Sequence, residues 1–323
     1  MLSPRQLKDR EYIMPAPFVR LMAKGIIGVL KVGTFHLPSM LRMRKISEGE
    51  ERYVRPARHY ELPEYKEGMR TVRSDEKYLR PTLFCDPNDP LIIAMAHELG
   101  AFQVPDRVFA ERAHHLVKEL MFVEEMPIDD AATTLRRGTG ACFHLASVLI
   151  ALCRCAGIKA RYKLFAMSMI SSWYDSTMGA DFLMKKWYDI LGYFVLEAEV
   201  EMLIDGEWVN GVVGADAAWQ ASTGLQVSRL GETSLGDWFE AVPGSYMIME
   251  SLPLGLATLY ATLVSTVPGS FERVNVSLEK QRKNGWRIIE EAGGLEAYDA
   301  LKRVDKVQMP KVELEQKGSI TFD

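Results

Sequence analysis

Gly138-Thr139-Gly140-Ala141-Cys142 runs directly into Phe143-His144-Leu145-Ala146-Ser147-Val148-Leu149-Ile150-Ala151-Leu152-Cys153-Arg154-Cys155-Ala156, and Gly157-Ile158-Lys159-Ala160-Arg161-Tyr162 follows. The middle block predicts a helix with Leu145, Val148, Leu149, Leu152 and Ala156 on a buried face and Gly157 as its stop. A glycine-rich turn therefore delivers a cysteine to the start of an apolar helix. The free N–H groups and positive end of such a helix favour a thiolate, and the same donors can hold an oxyanion. Cys153 and Cys155 lie further along and read as small core residues.

Outward from this helix, Leu91, Ile92, Met95, Ala96 and Leu99 recur at helical spacing, and a second helix is expected from about Asp106 to Phe122. After the cysteine helix, residues 158–165 alternate as a strand. A less regular insertion at about 168–190 carries Trp173, Tyr174, Phe182 and Trp187. Strand patterns resume at 193–204 and 207–213, joined by the turn signal Asp205-Gly206.

These residues resemble the transglutaminase-like superfamily: Gly140-Ala-Cys142, Ala146, the run Leu149 to Leu152, Cys155-Ala-Gly157-Ile158 and Ala160-Arg161-Tyr162, with Glu201 and Asp205-Gly206-Glu207-Trp208-Val209 downstream. The resemblance covers about residues 86–220. It implies an α+β, papain-like core in which a nucleophile helix packs on an antiparallel sheet, with an N-terminal extension (1–85) and a helical C-terminal extension (221–323) packed on that core. It further implies that Cys142 is the nucleophile and Asp216 the orienting acid, and it sets Glu197 at the position of the family's histidine. An ionised Glu197 beside Cys142 raises the thiol pKa by like-charge repulsion, where an imidazolium lowers it. Three readings follow: a histidine arriving from elsewhere, with His114 and His115 in the preceding helix as candidates; a thiol and a carboxylic acid sharing proton-transfer work; or a site that only binds. His144 lies two residues along the helix, about 200° round from Cys142, which is unsuited to a dyad.

Glu197, Glu199 and Glu201 alternate with the apolar Phe194, Leu196, Ala198, Val200 and Met202. The row either faces water or lines the cleft. Arg136 and Arg137, just ahead of the turn, are candidates for binding a substrate carboxylate, and Trp173, Tyr174 and Trp187 for a lid and substrate contacts. The expected reaction is acyl transfer or hydrolysis at a carbonyl, amide or thioester of a small molecule or peptide. The alternatives are a non-hydrolytic acid–base reaction (isomerase, lyase or cyclase) and an inactive binding or scaffold protein.

A net charge of −4 over 323 residues and a pI near 6.0 point to no nucleic-acid partner. No ligand-spaced cluster or phosphate-binding glycine loop is present, so neither a metal nor a cofactor is expected. Free thiols without a framework spacing, and no signal-peptide pattern, point to the cytoplasm. One stretch stands apart: Pro15 to Ser47 holds Arg20, Lys24, Lys31, Arg42, Arg44 and Lys45 and no acid, amid Phe18, Leu21, Met22, Ile26, Ile27, Val29 and Leu30. It reads as an arm packed on the core or as an amphipathic segment for weak membrane-surface or protein contact, with Gly25, Gly28 and Gly33 weakening a helix there.

Overall fold

A computed structural model describes residues 3–236 and 239–304. The expected extended tail after Pro310 lies outside the described residues. Three helices open the chain: α1 (Pro4–Asp9), α2 (Ala16–Phe35) and α3 (Leu37–Met43). Residues 51–89 follow without helix or strand, as their proline-rich, aperiodic sequence predicts. The glycines of α2 do not break it, and Gly28 serves packing. A Cβ at Gly28 would stand 2.9 Å from Leu191 Cδ2, so the glycine lets α2 lie close on a later helix.

The core begins with α4 (Pro90–Glu98) and α5 (Asp106–His115), which continues as a π-helical turn over Leu116–Leu120. Next come β1 (Phe122–Val123), α6 (Ala131–Arg137), β2 (Thr139–Gly140) and the cysteine helix α7 (Cys142–Ala156). Gly138 and Gly157 terminate α6 and α7 in the left-handed region, at φ +86° and +91°, where a Cβ is disfavoured. Every residue of α7 from Cys142 to Cys155 is buried, so the expected stripe is in fact a helix covered all round, with only Ala156 half-buried. The cause is its setting, with α4, α5 and α6 packed on it together with the sheet.

Beyond α7 run β3 (Ala160–Met169), α8 (Ser171–Ser176), α9 (Phe182–Leu191), β4 (Phe194–Ile204), β5 (Glu207–Gly211) and α10 (Ala217–Ser222). The stretch expected to be irregular is thus mostly helical. The remainder holds β6 (Phe239–Ala241), β7 (Met247–Met249), α11 (Leu254–Thr266), α12 (Pro268–Glu291) and α13 (Leu295–Val304). The main sheet is five-stranded and antiparallel, in the order β5-β4-β3-β6, with β7 also on β3. A short parallel pair, β1 with β2, lies beside the start of α7. Because β6 and β7 complete the central sheet, the boundary expected at residue 220 does not separate a core from a purely helical extension. The architecture is α+β, with a nucleophile-type helix laid across an antiparallel sheet.

Candidate active site

Cys142 is the first residue of α7, reached through β2 and Ala141. Glu197 lies on β4 opposite Phe165, just before the register shift between Phe165 and Met167. The Glu197 carboxyl and the Cys142 side chain lie together, lining one cavity and both facing Gly214. Gly214 closes the third side: a Cβ there would overlap the Glu197 carboxyl and come within 3.3 Å of Cys142 Cβ. Both groups open into a cavity of about 70 Å³ walled by apolar side chains that include Met167, Trp173, Trp187, Trp219 and Phe271. That is room for several waters or for one limb of a ligand.

Burial dominates the electrostatics. It pushes the Cys142 thiol well above its ordinary value, the charges of Glu197 and Glu125 push it further, and a hydrogen bond with the Ala198 backbone opposes them. The helix end therefore does not produce a resting thiolate, contrary to the expectation from sequence. Glu197 is likewise raised well above the usual carboxylate range, by burial first and then by Glu199. Both shifts favour the neutral form of each group.

The row of acids does not act together. Glu199 pairs with Lys163 at 2.8 Å and accepts from the Ser234 amide at 2.9 Å. Glu201 pairs with Arg161. Only Glu197 of the three reaches the cavity. Asp216 is not an orienting acid in this structure. It caps α10 by accepting from the Trp219 amide at 2.8 Å, and its other oxygen takes Arg282 Nε at 3.1 Å, so both oxygens are engaged away from Glu197. Arg282, from α12, also donates to the Val123 carbonyl at 3.1 Å. Helix α12 thereby ties β1 to the Gly214–Asp216 segment behind the site.

The remaining expectations divide. Trp173 and Trp187 line the cavity, and Trp173 lies against Trp219 with ring centroids 3.9 Å apart. Tyr174 does not line it; its hydroxyl joins Asp189 and Lys185. Arg136 is exposed and Arg137 is held by Asp129 and Thr139, so neither faces Cys142. No histidine lines the cavity. His144 fits under the turn, accepting from the Ala141 amide on Nδ1 and donating from Nε2 to the Pro127 carbonyl. His114 bonds the Val212 carbonyl, and burial holds it down to about 4. His115 pairs with Glu119 on the adjoining turn.

Two groups at the site escaped sequence reasoning. Lys118 is buried, donates to the Ala215 carbonyl, and is lowered by burial to about 7 despite the nearby Asp216, Glu119, Glu197 and Glu199. A regular 3.6-residue period gives no reason to turn it inward. The π-helical turn adds a residue to the helical phase, and that shift redirects it. Glu125 lines the cavity and accepts from the Tyr260 hydroxyl on α11. That contact spans 135 positions and leaves no local signature.

With this geometry established, residues 105–187 match the family model described as the transglutaminase-like superfamily. The span takes in α5, the cysteine turn, α7 and β3, and over it the chain is similar to that superfamily. Among solved structures, the chain is similar to a protein described as "a Putative Cysteine Protease from Cytophaga hutchinsonii", at 18% identity and a TM-score of 0.29, over 42% of this chain and 40% of that one. No curated protein matches the chain.

Proposed function

We propose that the chain is a cysteine-dependent acyl-transfer enzyme or hydrolase in which Glu197 does the proton transfer that a histidine usually does. The observation that carries this reading is the contact of Glu197 with Cys142 inside an apolar cavity at the start of α7. In the reactive form Glu197 is ionised, and its raised pKa makes it a stronger base than an ordinary carboxylate. The thiol proton passes to a Glu197 oxygen while Sγ bonds the substrate's carbonyl carbon. The oxyanion forms beside the Cys142 and Phe143 amides at the start of α7, since the next two, of His144 and Leu145, already donate to the Ala141 carbonyl. As the oxyanion collapses, the bond to the amine or thiol leaving group breaks, and that group takes the proton from Glu197. Water or another nucleophile then resolves the thioester by the reverse sequence. Lys118 fixes the Ala215 carbonyl, and so the segment that backs Glu197.

The test is intact-mass detection of an acyl adduct after mixing with short acyl thioesters and acyl anilides. A single adduct that vanishes in Cys142→Ala and forms at least about a hundredfold more slowly in Glu197→Gln is expected. Adduct formation at an unchanged rate in Glu197→Gln would remove Glu197 from the chemistry. A second reading is favoured by the two raised pKa values: a neutral thiol and a neutral carboxylic acid side by side suit proton shuttling without a covalent intermediate. It predicts turnover with no adduct.

A further inference from the structure

The outer surface near the site carries an unusual helix. In α2, Phe18, Leu21, Met22, Gly25, Gly28 and Val32 are buried toward the core. On the opposite side Val19, Ile26, Ile27 and Leu30 stand 50%, 42%, 51% and 63% exposed, and their spacing of seven, one and three residues keeps them on one face. A helix apolar on both sides is ordinarily surrounded by apolar material. Phe35 at 75%, Leu37 at 46% and Leu41 at 62% extend the exposed patch through α3. Around it lie Arg20, Lys24, Lys31, Arg42, Arg44 and Lys45, all exposed, and no acid from Pro15 to Ser47.

Helix α11 continues this surface. Its 13 residues include no charged side chain and only Leu256 is buried. The hydroxyls of Thr258, Thr262, Ser265 and Thr266 each donate to a carbonyl four residues back, as Thr34 does in α2. These hydroxyls need no water partner, which suits a surface facing a medium of low polarity. Between α2 and α11 opens a second cavity, of about 170 Å³, whose walls include Met22, Ile26, Val29, Leu30 and Leu259. Phe143, Trp187, Phe194, Tyr260 and Leu263 line both this cavity and the one that holds Cys142. The second cavity is thus an apolar passage inward from the exposed patch, and it shares a wall with the cavity that holds Cys142.

We propose that the α2–α3–α11 surface docks on an anionic lipid bilayer and that the passage between α2 and α11 receives the acyl chain of a membrane-resident lipid, bringing its carbonyl to Cys142. Charge selects the occupant: exposed Lys31, Arg42, Arg44 and Lys45, in a segment that holds no acid from Pro15 to Ser47 and set beside exposed aliphatic side chains, complement anionic headgroups over hydrocarbon. No single described helix is long and apolar enough to cross a membrane; α11 with α12 forms one pair, bent by 94°, that passes by length and composition, and the mode proposed is interfacial. The catalytic half of this proposal rests on the reading of Cys142 given above; the docking and chain-binding halves do not.

The experiment uses the full chain and its Cys142→Ala variant, so that binding is read without turnover. Flotation with phosphatidylcholine vesicles, with and without about 30 mol% phosphatidylglycerol, is expected to show binding only to the anionic set, weakened at least tenfold at about 0.5 M salt. Ile27→Glu and Phe35→Glu, which lie on the patch and outside both cavities, should weaken it at least about tenfold and leave turnover of a soluble short-chain thioester unchanged. Displacement of bound cis-parinaric acid reads the passage separately, and Val29→Trp should lower its affinity at least about tenfold by filling the space. No flotation at low salt overturns the docking. A dimer that Ile27→Glu dissociates, with no flotation, assigns the patch to a second copy instead and also overturns it. Fatty-acid binding indifferent to Val29→Trp overturns the passage. Flotation and chain binding with no adduct on Cys142 would sink the catalytic reading alone.

Discussion

The two ends of α7 are built from opposite chemistry. At the C-terminal end Arg154, fully buried, donates to the carbonyls of Ala160, Arg80 and Glu250, and Arg80 in turn pairs with Glu250 at 2.8 Å. Charge is deep there, but each guanidinium nitrogen of Arg154 has a carbonyl partner. At the N-terminal end Cys142 and Glu197 are also buried, yet they face open space, and burial presses both toward their neutral forms. One end spends its polar groups on holding the fold. The other leaves them uncommitted, which is the condition for chemistry.

The largest effect should come from inverting expectation at the fixed end. Arg154→Met strands several buried carbonyls and is expected to cost about 3–5 kcal/mol in urea unfolding. Cys142→Ala, equally buried but beside a cavity, should cost about 1 kcal/mol or less. Comparable losses at both ends would erase the distinction between them.

The pH dependence of stability sharpens the contrast further, because the two regions carry opposite signs. His114, in the frame, titrates near 6.5 when unfolded and is held down to about 4 when folded. Between those values the unfolded chain binds more protons, so stability falls as pH drops from 6.5 to 4, by up to about 3 kcal/mol. Urea midpoints across that range should show the loss, and His114→Gln should flatten it. Glu197 behaves inversely: its folded pKa is raised, so its contribution is complete below the ordinary carboxylate value and fades as pH rises through the folded one.

A thiol probe gives a smaller but more local contrast. Cys142 should react with iodoacetamide slowly at pH 7 and faster by about tenfold per unit up to its raised pKa. It should still precede Cys153 and Cys155, which have no exposure at all. Rapid reaction of Cys142 at pH 7, mapped by peptide mass spectrometry, would mean a cation beside the thiol that this geometry lacks.

Much of the frame was legible because it is local. Gly138, Cys142 and Gly157 mark a turn, a helix start and a helix stop, and the alternation at 193–204 marks β4. Glu197 was found because the family resemblance sets it at the histidine's position on that strand. What was illegible depends on distant contacts or on a change of helical phase. Asp216 looked like an orienting acid until Arg282, 66 residues on, took its second oxygen. Lys118 depends on the π-helical turn, and Glu125 on Tyr260. Arg136 and Arg137 adjoin the cysteine turn in sequence, but α6 directs them away from it.

The smallest effect on the fold should carry the most information about the site. Glu197→Gln keeps the shape of a protonated carboxyl, the form that burial favours, so stability at pH 7 should change by no more than about 1 kcal/mol. The variant should nevertheless separate two properties of Cys142 that a Cys–His site would move together. Removing the titratable acid removes a charge that raises the thiol pKa, so alkylation above neutral pH should quicken. Removing the proton acceptor should slow acyl transfer at least about a hundredfold. Alkylation and turnover that slow together would instead make Glu197 an activator of the thiolate itself, and the comparison between a committed and an uncommitted end of α7 would have to be redrawn around a charge held ready at rest.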